Sequence, residues 1–122
     1  IPLNVAGAFH SPLMASARAK LAAVLDGVAF SAPKIPVLAN VSGAPHGGDP
    51  AAIKDAMLRQ VTDPVRWSDC VKGAVAAGAK TFIEFGPGKV LAGLIKRIDK
   101  GVATLNVSDV QTLEQTAAAV GA

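Results

Sequence analysis

Lys80-Thr81-Phe82-Ile83-Glu84-Phe85 is a β-rich run that breaks at Gly86-Pro87-Gly88 and gives way to a helical pattern with Leu91, Leu94, Ile95 and Ile98 inward. A second β-rich run follows, Ala103-Thr104-Leu105-Asn106-Val107. Two strands joined through a helix pair parallel, because an antiparallel hairpin needs only a short turn. A parallel pair in turn needs helices over its faces, so this one stretch confines the chain to the α/β class. Ser108 or Asp109 caps a last helix that runs through Val120.

Upstream, Asp49 is a helix cap with Pro50 in the first position, Ile53, Met57, Leu58 and Val61 on the inner side and Gln60 at the end. Asp63-Pro64 turns the chain, and Trp67, Val71, Ala74 and Val75 mark a further helix stopped by Gly78. Ile35 to Val41 reads as a short strand buried on both faces. Ser42 to Pro50, with three glycines and two prolines, reads as an exposed loop in which His46 is solvated. Met14, Ala17, Leu21, Val24, Leu25 and Val28 recur at three- and four-residue intervals, as an amphipathic helix of about four turns requires. From Val37 onward the order is βα(α)βαβα, a mostly parallel sheet with right-handed crossovers and no internal linker.

Length and composition set the outer bounds. The 122 residues suit one ordinary domain, and the 51% hydrophobic content is largely Ala and Val, the economy of helices packed closely on a sheet. No apolar run is long enough to cross a membrane, which points to a soluble protein. A formal charge of +3 with only 4% aromatics does not indicate a nucleic-acid binder. Cys70 is the single cysteine, so there is no internal disulfide and no cysteine-based metal site; with no basic residue or histidine adjacent, it reads as a small buried hydrophobe. The chain opens on Ile1-Pro2 without an initiator Met or a signal sequence, as an internal piece of a longer polypeptide would.

The chemistry concentrates at Gly7-Ala8-Phe9-His10-Ser11-Pro12-Leu13-Met14. His10 stands where a short strand gives way to a helix with Ser11 as N-cap and Pro12 as first residue. Beside the positive end of a helix the neutral ring is favoured, which is the state a general base starts from. A histidine that merely helps cap the helix is the alternative. Asp63 is one of several carboxylates that would serve behind His10 in a triad, yet no GxSxG elbow occurs to supply a nucleophile. Gly86-Pro87-Gly88-Lys89 invites a phosphate-binding reading, but Leu91 and Val90 occupy positions where dinucleotide and P-loop fingerprints need Gly and Ser or Thr. With Lys89, Lys96, Arg97 and Lys100 on the following helix, that turn defines a competing reading: a non-catalytic α/β module binding a phosphate-bearing ligand or an acidic protein.

Four blocks in order and spacing carry a resemblance: Gly7 to Met14; Pro36-Val37-Leu38-Ala39-Asn40-Val41; Leu58-Arg59-Gln60 with Pro64-Val65-Arg66-Trp67; and Glu84-Phe85-Gly86-Pro87-Gly88-Lys89-Val90-Leu91. Together they resemble the C-terminal part of the malonyl-CoA:acyl carrier protein transacylases of bacterial fatty acid synthesis. The resemblance implies an α/β-hydrolase-like parallel sheet core over residues 7–122, preceded in residues 1–6 by the last strand of a small ferredoxin-like subdomain. It implies a cytoplasmic acyltransferase in which His10 activates a serine and protonates the leaving coenzyme A thiol, while Gln60 orients His10 through its backbone carbonyl. Malonyl-CoA and acyl carrier protein are the implied partners, with no cofactor beyond the thioester substrate, no metal, no nucleic acid and no membrane. The family's nucleophilic serine, its carboxylate-pairing arginine and its oxyanion-hole glutamine have no counterpart in this sequence. The N-terminal portion of the same enzyme is therefore a required partner, and the chain alone is expected to be inactive and, with apolar faces uncovered, poorly soluble.

Overall fold

The computed structural model describes residues 7–121; the expectation for residues 1–6 lies outside the described residues. The chain divides into two compact units, Ile1–Cys70 and Val71–Ala122.

In the first unit Ser11 caps a single 3-10 turn, Pro12–Met14, which leads into α1, Ala15–Leu25. The helix is shorter than its spacing predicts. Asp26 and Gly27 turn the chain away, since glycine is a poor helix former, and Val24 and Val28 stay exposed, leaving Leu25 as the buried member of the stripe. α1 packs against α2, Pro50–Arg59, and Lys54 of α2 forms an ion pair with Asp26. α2 starts as its sequence predicts: Asp49 accepts from the backbone N–H groups of Ala51 and Ala52 at 3.0 and 3.3 Å, and Ile53 is buried.

The segment between the two helices departs from expectation. The strand predicted over Ile35 to Val41 contracts to β1, Leu38–Ala39, and pairs antiparallel with β2, Ala44–Pro45, inside the stretch read as loop. Gly43 makes this possible. It adopts φ +72°, and a Cβ there would lie 2.6 Å from Cβ of Asp69, so only glycine fits the turn. The fold-back also draws His46 in: its N–H donates to the Val37 carbonyl at 2.8 Å and the residue is half-buried, not solvated.

α3, Trp67–Ala76, contains the division between the units. Cys70 and Val71 on it are 4% and 2% exposed, as their apolar spacing predicts, and Gly78 at φ +97° ends the helical path.

The second unit is a βαβ arrangement followed by a helix. β3, Thr81–Phe85, runs parallel to β4, Ala103–Val107, with Thr81 opposite Ala103 and Phe85 opposite Val107. α4, Val90–Ile98, connects them and buries Ile95; α5, Val110–Val120, follows β4 and buries Thr116. The Asn106 amide donates to the carbonyls of Glu84 and Gly86, both at 3.2 Å, which holds the end of β3 beside β4. This is an α/β fold with a small parallel sheet and flanking helices.

Both helix starts in this unit rest on a carboxylate. Glu84, on β3, reaches across the glycine turn and accepts from the N–H groups of Leu91 and Ala92 at 3.1 and 2.9 Å. Replacing Glu84 by Ala should therefore cost about 1 kcal/mol of unfolding free energy, the usual worth of a helix cap, read by urea denaturation; an unchanged midpoint would deny it that role. At α5, Asp109 accepts from the Thr112 N–H at 2.8 Å while the Thr112 hydroxyl faces the Asp109 N–H at 3.0 Å. The backbone and hydroxyl donors of Thr112 hold the Asp109 carboxyl below its ordinary value. A group depressed in the folded state stabilises above its unfolded pKa, about 3.9 for Asp, and that contribution disappears as pH falls through the lower folded value. The stability gap between the native protein and Asp109→Asn should hold constant at neutral pH and shrink below about pH 4; a gap independent of pH would contradict this.

Candidate active site

His10 occupies a backbone conformation that side-chain-bearing residues seldom adopt, φ +59°, and it is the one non-glycine residue with positive φ among the described residues. The turn is held by Ser11, whose hydroxyl donates to the Ala8 carbonyl at 2.7 Å and accepts from the Leu13 N–H at 3.3 Å. This backbone sends the imidazole toward the end of α2, where Nδ1 lies 2.8 Å from the carbonyl oxygen of Gln60. A carbonyl only accepts, so Nδ1 carries the proton and Nε2 keeps its lone pair. Gln60 is the C-cap of α2, and helix ends leave their last carbonyls without intrahelical donors. The sequence thus places His10 at one chain turn and Gln60 at another, and the structure brings them together.

The pair borders a cavity of about 400 Å³ whose other walls are apolar: Phe9, Met14 and Leu21 on one side, Met57 and Val61 on the other. Phe9 is 65% exposed, so this is an open cleft with a polar edge at His10 and Gln60. It presents one imidazole nitrogen with a free lone pair, the ring oriented through its second nitrogen, beside an apolar wall.

The other candidates separate from this site. Asp63 accepts from Arg59 Nε at 3.3 Å and from the Thr62 hydroxyl at 3.0 Å, and His10 turns to the Gln60 carbonyl instead. Arg59 also meets Asp55 at 3.7 Å, so the end of α2 is braced by a small charged network that sequence reasoning missed. An Arg at a helix end with acids four residues before and after it was the available signal. Cys70 is buried, burial and then the neighbouring Asp69 push its thiol up, and it is unsuited to nucleophilic work. Among the described residues no three His, Cys, Asp or Glu side chains gather as a metal site would require.

The phosphate-binding reading of Gly86 to Lys89 fails on geometry. The N–H groups at the start of α4 that a phosphate would occupy are taken by the Glu84 carboxylate, which also places a negative charge where the ligand's would be. Of the basic residues on that helix, Lys96 donates to the Val102 carbonyl instead of facing a ligand. No helix among the described residues is long and apolar enough to cross a membrane.

No protein-family model matches the chain. Individual relatives do. A malonyl CoA-acyl carrier protein transacylase of Bacillus subtilis is 44% identical over 114 residues, 93% of this chain and 36% of that protein. Among solved structures, an acyl carrier protein S-malonyltransferase of Vibrio cholerae superposes with a TM-score of 0.87 at 45% identity, covering 95% of this chain and 38% of that one. A malonyl-transacylase solved in complex with its type II polyketide-synthase acyl-carrier protein superposes with a TM-score of 0.85 at 38% identity over 94% of this chain. The chain spans somewhat more than a third of the length of these proteins. Over nearly all of its own length the chain is similar in sequence and fold to the C-terminal part of malonyl CoA-acyl carrier protein transacylases.

Proposed function

We propose that this chain is the histidine-bearing part of an enzyme that moves a malonyl group from coenzyme A to the phosphopantetheine thiol of an acyl carrier protein. The observation that carries the reading is the 2.8 Å contact between His10 Nδ1 and the Gln60 carbonyl. It leaves Nε2 as the proton acceptor at the edge of the cleft.

The reaction has two balanced halves. A serine hydroxyl from outside these 122 residues gives its proton to His10 Nε2 and attacks the thioester carbonyl. The tetrahedral adduct expels the coenzyme A thiolate, which recovers that proton from the imidazolium as the acyl-serine ester forms. The carrier's thiol then loses its proton to Nε2, attacks the ester, and the departing serine oxygen takes the proton back. His10 is base and acid in turn, and the Gln60 carbonyl keeps the proton on Nδ1 and the ring in one orientation throughout.

The same reading extends to the finer architecture. Residues 7–122 form part of an α/β-hydrolase-like core, residues 1–6 are the last strand of a ferredoxin-like subdomain, and the enzyme works in the cytoplasm without a cofactor. The remaining portion of the enzyme supplies the serine and covers apolar residues such as Phe85 and Val90, which are 74% and 70% exposed here.

In the full-length enzyme, His10→Ala should lower malonyl transfer by about a thousandfold while thermal unfolding stays in place; transfer at the native rate would remove His10 from the chemistry. Gln60→Ala should cost far less, because any residue at that position keeps the carbonyl. A loss as large as that of His10→Ala, measured in the same transfer assay, would assign the work to the Gln60 side chain.

A further inference from the structure

We propose that Ser11 is a positioning residue for His10, holding the imidazole in the tautomer that its partner carbonyl requires; the consequence for acyl transfer rests on the reading of His10 as base. The Ser11 hydroxyl is a clamp on both sides of the histidine. It donates to the carbonyl of Ala8, two residues before His10, and accepts from the N–H of Leu13, three residues after it. Both hydrogen-bonding functions of the hydroxyl are thereby spent on the backbone of the turn, and between them lies the strained residue, His10 at φ +59°.

An ordinary N-cap needs only the accepting half of this arrangement. The donating half, at 2.7 Å the shorter of the two, reaches back to the segment that precedes His10. Its effect is to close the chain around the histidine and prevent His10 from relaxing to the β or right-handed region. With the chain relaxed, the ring would leave the Gln60 carbonyl, and nothing else among the described residues accepts from Nδ1. The ring would then distribute its proton over both nitrogens, and only the Nδ1–H form leaves Nε2 free to take a proton. Ser11 itself faces the backbone, so it acts through His10 and does not touch substrate.

The test uses the full-length enzyme labelled with ¹⁵N at histidine, the His10 ring being assigned from the spectrum of His10→Ala. The native protein should give the signature of the Nδ1–H tautomer, Ser11→Ala a mixture of both tautomers, and Ser11→Thr, which keeps a hydroxyl, the native signature. In steady-state transfer, Ser11→Ala should lower kcat about tenfold with KM for malonyl-CoA within about twofold, and Ser11→Thr should recover most of the loss. A native His10 tautomer in Ser11→Ala would overturn the proposal, as would a threonine variant as impaired as the alanine one. Should His10→Ala transfer malonyl at the native rate, the base assignment falls by itself; the tautomer comparison still decides whether Ser11 positions the ring.

Discussion

A single hydrogen bond, His10 Nδ1 to the carbonyl of Gln60, joins parts of the chain that are fifty residues apart. Its acceptor exists because a helix ends there. The turn after α2 supplies N–H donors to the carbonyls of Leu58 and Arg59, from Val61, Thr62 and Asp63, and the carbonyl of Gln60 comes after them. The imidazole takes that place. One bond therefore satisfies that carbonyl and fixes a ring, and the net worth of such a bond is about 1 kcal/mol in most proteins. The donor side is correspondingly strained: His10 accepts a left-handed backbone to reach the bond, and Ser11 holds it there.

A carbonyl in this position does a different job from a carboxylate. It only accepts, so the nitrogen facing it always carries the proton. It also brings no full charge. The negative end of α2 supplies only a partial one, spread over the last turn. Asp63, three residues after Gln60, is committed to Arg59 and Thr62. That commitment braces the segment from which the Gln60 carbonyl projects.

Features that depend on one residue and its close neighbours were legible in the sequence. Asp49 and Asp109 cap the helices they precede, Gly78 ends α3, and the βαβ order of residues 81–107 appears as a parallel pair. What escaped depends on residues far apart. The antiparallel pairing of Leu38–Ala39 with Ala44–Pro45 rests on Gly43 packing against Asp69, a contact across twenty-six positions that no local pattern encodes. The spacing from Met14 to Val28 is amphipathic in sequence, but only Leu25 is fully buried, Met14, Ala17 and Leu21 are half-buried and Val24 and Val28 exposed, because burial is a property of the neighbours and not of the stripe. At the site, the blocks that resemble the transacylases pointed to the Gln60 carbonyl as the partner of His10. The left-handed backbone at His10 had no sequence signal: histidine enters that region somewhat more readily than most residues, but nothing in the neighbouring types demands it.

The glycine turn after β3 illustrates why a motif has to be weighed against its surroundings. A strand, a Gly-Pro-Gly turn and a helix start present the N–H groups that elsewhere bind phosphate, and lysines lie nearby. The outcome is decided by Glu84, whose alternation on β3 places it on the side of the turn facing α4, within reach of two of those N–H groups. A carboxylate that is part of the protein is present at an effective concentration no free phosphate matches, and displacing it would leave a charged group without its donors. The same contact ties the end of β3 to the first turn of α4, so a turn that looks built to receive an anion instead uses its own to set the angle between strand and helix.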